Sequence, residues 1–228
     1  MHILRLTGIV LTAIVIAILT LIVSRFDFKG KMVFGLSKIF SKFILLSSGV
    51  KIDCSGKEKI NNKEPYLFIS NHMSYLDIPI LMQALPSNIR FVYKKSMTKI
   101  PVFGWAMYLG KYIPIDRKNV RSALKSLKDA SGLIRKKISV VMFPEGTRSP
   151  DGIIHEFKKG MTIISEETKC RLVPVTIIGS YNLLPKNTLK VKPGKVKVII
   201  DNPVEFTKDK SLLENLRNTI VSNFEKYK

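Results

Sequence analysis

The sequence predicts an α/β fold, a mixed, largely parallel sheet flanked by helices, preceded by an N-terminal membrane-associated helical pair. Three observations carry this. From Tyr66 onward, short β-branched apolar runs alternate with segments of helical period. An uncharged run of 18 residues, Leu6 to Val23, opens the chain. Two polar segments, Asn71-His72-Met73-Ser74-Tyr75-Leu76-Asp77 and Phe143-Pro144-Glu145-Gly146-Thr147-Arg148-Ser149, each follow a strand-like run. That is where an open α/β sheet places its ligands.

As a helix, Leu6 to Val23 would measure roughly 27 Å, slightly short of a ~30 Å hydrocarbon core. No small-residue cleavage site follows it, so a signal peptide fits poorly. A fully buried globular helix is the plainer alternative. Arg25, Lys29 and Lys31 follow the run and Arg5 precedes it, which by positive-inside logic puts the remainder on the cytoplasmic side of a cell inner membrane or plasma membrane. From Lys31 to Ser48, apolar residues recur at helical spacing opposite Lys38 and Lys42, suiting a helix in the headgroup layer or one packed on a core. Whether residues 6–23 cross the bilayer or fold back is open at this level. Residues 1–50 thus read as membrane-associated helices and 51–228 as the catalytic domain.

Within that domain, Tyr66–Ser70 reads as a strand and Tyr75–Leu85 as a helix ended by Pro86. Ile89–Tyr93 and Tyr112–Ile115 read as short strands, and Ser122–Lys137 as an amphipathic helix. Ile138–Phe143, Leu172–Ile178 and Val196–Ile200 read as strands, and Leu212–Tyr227 as the closing helix.

Composition narrows the chemistry. With 38 Lys+Arg against 17 Asp+Glu, the formal charge is +21, a field that attracts polyanions. Cys54 and Cys170 lack the spacing of a disulfide framework or zinc site, and the only histidines are His2, His72 and His155. No metal and no cofactor is expected. Nucleic acid is not expected either, because no cluster interleaves aromatics with basic residues.

His72 and Asp77 differ by about 140° on a continuous helix. They meet only if His72 lies in the loop and Asp77 in the first helical turn, with Asn71 and Ser74 as capping residues. Asp77 would then be favoured as an anion by the helix dipole. It would accept the Nδ1 hydrogen of His72 and leave Nε2 as a base. In the second segment, Gly146 permits a tight turn. Arg148 offers a planar fork suited to phosphate, and Glu145 would hold Arg148 or accept from a substrate hydroxyl. Taken singly, each segment also suits a purely structural role, a packed histidine in one and a surface turn in the other. His155 reads as a loop histidine.

N-H-x-S-x-x-D followed by F-P-E-G-T-R-S resembles the bacterial glycerolipid acyltransferases of the 1-acylglycerol-3-phosphate type. Lys94-Lys95, Ile100 to Trp105 and Gly110 to Arg117 resemble a second block of that family. Phe157-Lys158-Lys159-Gly160 and Val173-Pro174-Val175 resemble its remaining blocks. The resemblance implies His72 as general base and Asp77 as its partner. It also implies Arg117, Glu145, Gly146, Thr147 and Arg148 around the acceptor's glycerol phosphate, with Lys95 as a further candidate for that anion. Ser96-Met97 departs from the acidic-apolar pair common there. The implied reaction is direct transfer from acyl carrier protein or coenzyme A to lysophosphatidic acid at an anionic membrane, with no acyl-enzyme. Another lysolipid or glycerol 3-phosphate as acceptor is the alternative, and a non-enzymatic basic binding protein a remote one. Phe103, Trp105, Met107 and Tyr108 are candidates for an acyl-chain slot.

Overall fold

The computed structural model describes residues 2–27, 30–101, 103–186, 188, 190–209 and 211–228, without the side chains of residues 2–6 and 8–10. Val50 opens a seven-stranded sheet in the order β1-β7-β6-β2-β5-β3-β4. Its strands are β1 (Val50–Ser55), β2 (Leu67–Ser70), β3 (Ile89–Lys94), β4 (Ile113–Ile115), β5 (Ser139–Met142), β6 (Leu172–Ile178) and β7 (Gly194–Ile200). The run β6-β2-β5-β3-β4 is parallel throughout, while β7 pairs antiparallel with β6 and β1 lies parallel to β7. The sheet is therefore mixed and mostly parallel, as the alternation of strand and helix signals predicts.

Its central strands are buried on both faces, as covered parallel sheets require. Tyr66 and Phe68 enter one core, with Phe91, Val141 and Val175. Leu67 and Ile69 enter the other, with Val140, Met142 and Leu172. The first core is capped by α1 (His2–Val23), α2 (Lys31–Ser48), α3 (Asp77–Ala84) and α4 (Phe103–Leu109). The second is capped by α5 (Val120–Arg135), α6 (Gly160–Thr168) and α8 (Ser211–Tyr227), with the single turn α7 (Ser180–Leu183) following β6.

Several boundaries differ from expectation for physical reasons. β1 alternates buried Val50 with exposed Lys51 and half-buried residues, an edge pattern too weak to read beside the apolar α2. The helix expected from Tyr75 begins at Asp77, because Met73 and Ser74 close a turn against the Asp77 carboxylate first. Asn71 and Ser74 do not cap that helix. Asn71 instead bridges to β6, its Oδ1 accepting from Ile177 N at 2.8 Å and its Nδ2 donating to Ile177 O at 2.9 Å.

The N-terminal pair folds back on itself: α1 packs on α2 and α4, and α2 packs on α3. Leu11, Val15, Ile18 and Ile22 of α1, with Phe26, Ile39 and Leu46, nonetheless stay exposed, as do Trp105 and Tyr108 of α4. Among the described residues, no helix is long and apolar enough to cross a membrane.

One buried cation fastens this layer to the sheet. Arg90 of β3 is fully buried, donating from Nη2 to Gly30 O at 2.7 Å and from Nε to Gly110 O at 2.6 Å. Its Nη1 donates to Asn88 Oδ1 and Ile89 O. Burial lowers its pKa, an effect opposed by nearby Tyr112 and Asp27. Asp27 in turn accepts from the backbone N–H of Val33 in the first turn of α2, at 2.8 Å. Gly30 has a φ of +66°, and any side chain there would collide with the guanidinium. Arg90→Ala orphans the carbonyl of Gly110, costing about 1–3 kcal/mol, and leaves that of Gly30 with only the N–H of Phe34, at 3.2 Å. We expect a loss of about 2 kcal/mol or more in urea unfolding. Amide exchange should accelerate across 31–48 ahead of the central strands.

Candidate active site

Because β2, β5, β3 and β4 are neighbours and run in the same direction, the segments after them share one edge of the sheet. Those segments carry His72, Glu145 to Arg148, Lys95 and Arg117 respectively. Sites dispersed over 77 residues of sequence are thereby placed side by side.

His72 lies in the loop after β2 and Asp77 in the first turn of α3, where the helix N-terminus favours an anion. His72 Nδ1 lies 2.8 Å from Asp77 Oδ2, and the carboxylate is fully buried. The same oxygen accepts from the backbone N–H groups of Met73 at 2.7 Å and Ser74 at 2.8 Å. An ionised carboxylate only accepts, so Nδ1 faces it as the donor, and in the neutral ring the lone pair then falls to Nε2. Nε2 has no hydrogen-bond partner among the described residues, and the side chain is 14% exposed. This is a base with one face open.

The second segment holds the first by its backbone. Glu145 Oε1 accepts from His72 N at 2.9 Å, and Ser149 N donates to His72 O at 2.8 Å. Phe143 stacks on the imidazole, with centroids 4.0 Å apart and planes at 14°. Neither Phe143 nor Ser149 was singled out by sequence, since ring stacking and backbone bridging leave no signature in spacing. Glu145 does not hold Arg148, so the first of its two expected roles is not the one the structure shows. Its Oε2 accepts from His155 N at 3.1 Å, so both oxygens serve backbone donors. Desolvation dominates the titration of this carboxyl and raises it from 4.5 to about 7, against the lowering effect of the two N–H bonds.

Gly146 takes a φ of +76° in the turn closed by its own N–H to Phe143 O at 3.0 Å. Thr147 is exposed and accepts from Lys186 Nζ at 3.4 Å. Arg148 lies over Tyr75, its Cζ 3.4 Å from the ring centroid, within the segment that bears His72 and Asp77. Lys95, mostly exposed after β3, lies 3.8 Å from Asp116 after β4, which ties those two loops together. Arg117 is exposed at the end of β4, and no hydrogen bond or ion pair joins it to the others. His155 is a loop residue, as expected, with Nε2 3.0 Å from Asp151 Oδ1. Phe103 and Met107 line an apolar cavity of about 140 Å³ with Phe40, Met82, Phe91 and Met97, whereas Trp105 and Tyr108 point outward. Phe91 also stacks on Phe143, centroids 6.2 Å apart, so a ladder of rings runs from the imidazole to the cavity wall. Among the described residues, no group of three or more His, Cys, Asp or Glu side chains is placed to hold a metal ion.

A model of the Acyltransferase family matches residues 51–178, which include both polar segments. A chloroplastic 1-acyl-sn-glycerol-3-phosphate acyltransferase of Brassica napus is 37% identical over 175 residues, covering 76% of this chain and 51% of that protein. Its counterpart in Arabidopsis thaliana is 34% identical over 177 residues, covering 77% and 49%. The chain thus spans about half the length of these relatives. The crystal structure of the 1-acyl-sn-glycerophosphate (LPA) acyltransferase PlsC from Thermotoga maritima superposes with a TM-score of 0.81 at 26% identity. That similarity covers 100% of this chain and 98% of the other, so it includes α1 and α2.

Glu145 makes the site's stability depend on pH. The folded protein keeps this proton to higher pH than the unfolded chain does. The linked stability is therefore complete below about pH 4.5 and lost as pH rises through about 7. In Glu145→Gln that dependence vanishes, while one of the two N–H donors faces an amide NH₂ and loses its acceptor. The variant should be less stable than the parent in acid, and the gap should shrink by on the order of 3 kcal/mol towards alkaline pH. Thermal melts across this range check it; parallel curves for the two proteins would contradict it.

Proposed function

Since the chain belongs to the acyltransferase family, we propose that it moves an acyl group from a thioester to the free sn-2 hydroxyl of 1-acylglycerol-3-phosphate. The product is phosphatidic acid, and acyl carrier protein or coenzyme A carries the donor. The observation that carries this reading is the 2.8 Å His72–Asp77 contact with Nε2 unengaged, on the same sheet edge as the Arg148 turn.

Nε2 accepts the proton of the lysolipid hydroxyl as that oxygen attacks the thioester carbonyl. The carbon–sulfur bond then breaks, and the proton leaves with the thiol. Asp77 holds the ring in the required tautomer and stabilises the imidazolium that forms. Arg148 anchors the acceptor's phosphate, supported by Lys95 and Arg117 on the neighbouring loops. Gly146 and Thr147 shape the turn against the glycerol, and Glu145 fixes the backbone from which His72 projects. The cavity beyond the Phe143–Phe91 stack is of the right character for an acyl chain.

The exposed apolar side chains of α1, α2 and α4 form one layer, which supports seating in a single leaflet at the cytoplasmic face of a cell inner or plasma membrane. The charge of +21 suits an anionic lipid surface and anionic substrates.

Purified full-length protein, given lysophosphatidic acid and a labelled acyl thioester, should yield phosphatidic acid by mass spectrometry. His72→Ala should cut turnover by at least ~10²–10⁴-fold while lysolipid binding persists. Near-normal turnover in that variant would remove the base, and preference for a phosphate-free acceptor would remove the substrate assignment.

A further inference from the structure

An arginine at the mouth of a site ordinarily pairs with a carboxylate. Arg148 pairs with none among the described residues. Its guanidinium rests over the Tyr75 ring, and its Nη1 is shielded from solvent with no hydrogen-bond partner among those residues. The ring fixes the plane of the fork while leaving its N–H edge unused. Tyr75 itself is 53% exposed, so filling the core does not account for its place. Two more cations border the same turn. Lys186 Nζ donates to Thr147 Oγ1 at 3.4 Å, and Lys158 Nζ would stand 3.1 Å from a Cβ built on Gly146. Neither lysine pairs with a carboxylate among the described residues. The turn's own acid, Glu145, is committed to backbone donors on the side of His72. Three cations therefore border one turn with no carboxylate paired to any of them among the described residues.

We propose that Tyr75 is a positioning residue that holds Arg148 flat, and that Lys158 and Lys186 complete with it a seat for a doubly charged phosphate monoester headgroup. This rests on the reading of the acceptor as a phosphorylated lysolipid and names what selects it. A monoester dianion engages all three cations, whereas a phosphodiester brings one charge and a bulky substituent. Thr147 and Gly146 then matter for bringing backbone close to the phosphate and leaving room for Lys158.

The test is binding of lysophosphatidic acid, and of a lysolipid with a phosphodiester head, to full-length protein by calorimetry in detergent, without acyl donor. Tyr75→Leu should weaken monoester binding by about tenfold, and Tyr75→Phe, which keeps the ring, should lie within about twofold of the parent. Tyr227 of α8 carries Lys197 of β7 over its ring at 3.9 Å and belongs to neither the His72 loop nor the Arg148 turn, so Tyr227→Leu is a matched control that leaves binding unchanged. The double variant Lys158→Met/Lys186→Met should erase most of the preference for monoester over diester. In turnover, Tyr75→Leu should raise KM for the acceptor by more than it lowers kcat. Parental affinity in Tyr75→Leu, equal losses in the Leu and Phe variants, or no monoester preference in the parent would each overturn the proposal. A parent that binds lysophosphatidic acid selectively but does not acylate it would overturn the functional reading alone.

Discussion

Everything at this site depends on how the backbone of one residue is held. His72 is gripped from both sides by the segment after β5, its N–H given to Glu145 and its carbonyl receiving the N–H of Ser149. The ring is then fixed by Asp77 on one edge and Phe143 on one face. Those contacts exist only because β2 and β5 pair in parallel with Leu67 opposite Val140. A slip of one residue would displace the two loops by about 3.3 Å and send each strand's side chains to the wrong core. The packing of Phe68 against one layer and Leu67 and Ile69 against the other is thus what sets the geometry of the candidate site.

The two helical layers have different tasks. The layer of α5, α6 and α8 closes a core of ordinary composition. The layer of α1, α2 and α4 closes the other core and the apolar cavity while presenting Val15, Ile22, Leu46 and Trp105 outward. Such a layer is exposed to shear against whatever it contacts, and a fully buried arginine between Gly30 and Gly110 resists it in a way that apolar packing does not. Hydrogen bonds to carbonyls are directional, so Arg90 fixes the placement of the helix pair as well as its attachment. The cavity wall, built partly from that pair, inherits the precision.

Much of this was legible in the sequence. The parallel run of strands followed from alternating β-branched and helical segments, and the His72–Asp77 contact from asking how residues five apart can meet. Arg148 was found by its chemistry, but its true neighbour, Tyr75, was not, because stacking depends on two loops that only the sheet brings together. Which of its two expected roles Glu145 takes was not legible for a related reason: spacing cannot tell an acid that faces its own turn from one that faces the next loop. The strand β1 and the helices α4 and α6 went unread. Pro101 stands just before the seven-residue α4 and Gly104 in its first turn, Gly160 starts α6, and β1 alternates at an edge. Arg117 came from family resemblance alone, and the geometry leaves it on the shared edge with no hydrogen bond or ion pair among the described residues.

The placement of hydroxyls and thiols bears on the order of chemical events. A base that activates a protein nucleophile needs that nucleophile within a hydrogen bond of its free nitrogen. Ser74, nearest in sequence, is fully buried and donates to Leu184 O at 2.8 Å. Ser70 donates to the carbonyl of Asn71, and Ser149 donates to Asp151 while accepting from Gly152. Cys54 lies on the edge strand β1 with its thiol directed at Ala84 O, and Cys170 is buried before β6. Among the described residues, none of these hydroxyls or thiols is left for Nε2 to activate. In the proposed reaction the proton that Nε2 takes would then be a substrate's, which favours a single displacement at a thioester over an acyl-enzyme. In that scheme the protein supplies no bond to the acyl group, so placement of the acceptor's phosphate becomes its main lever on rate.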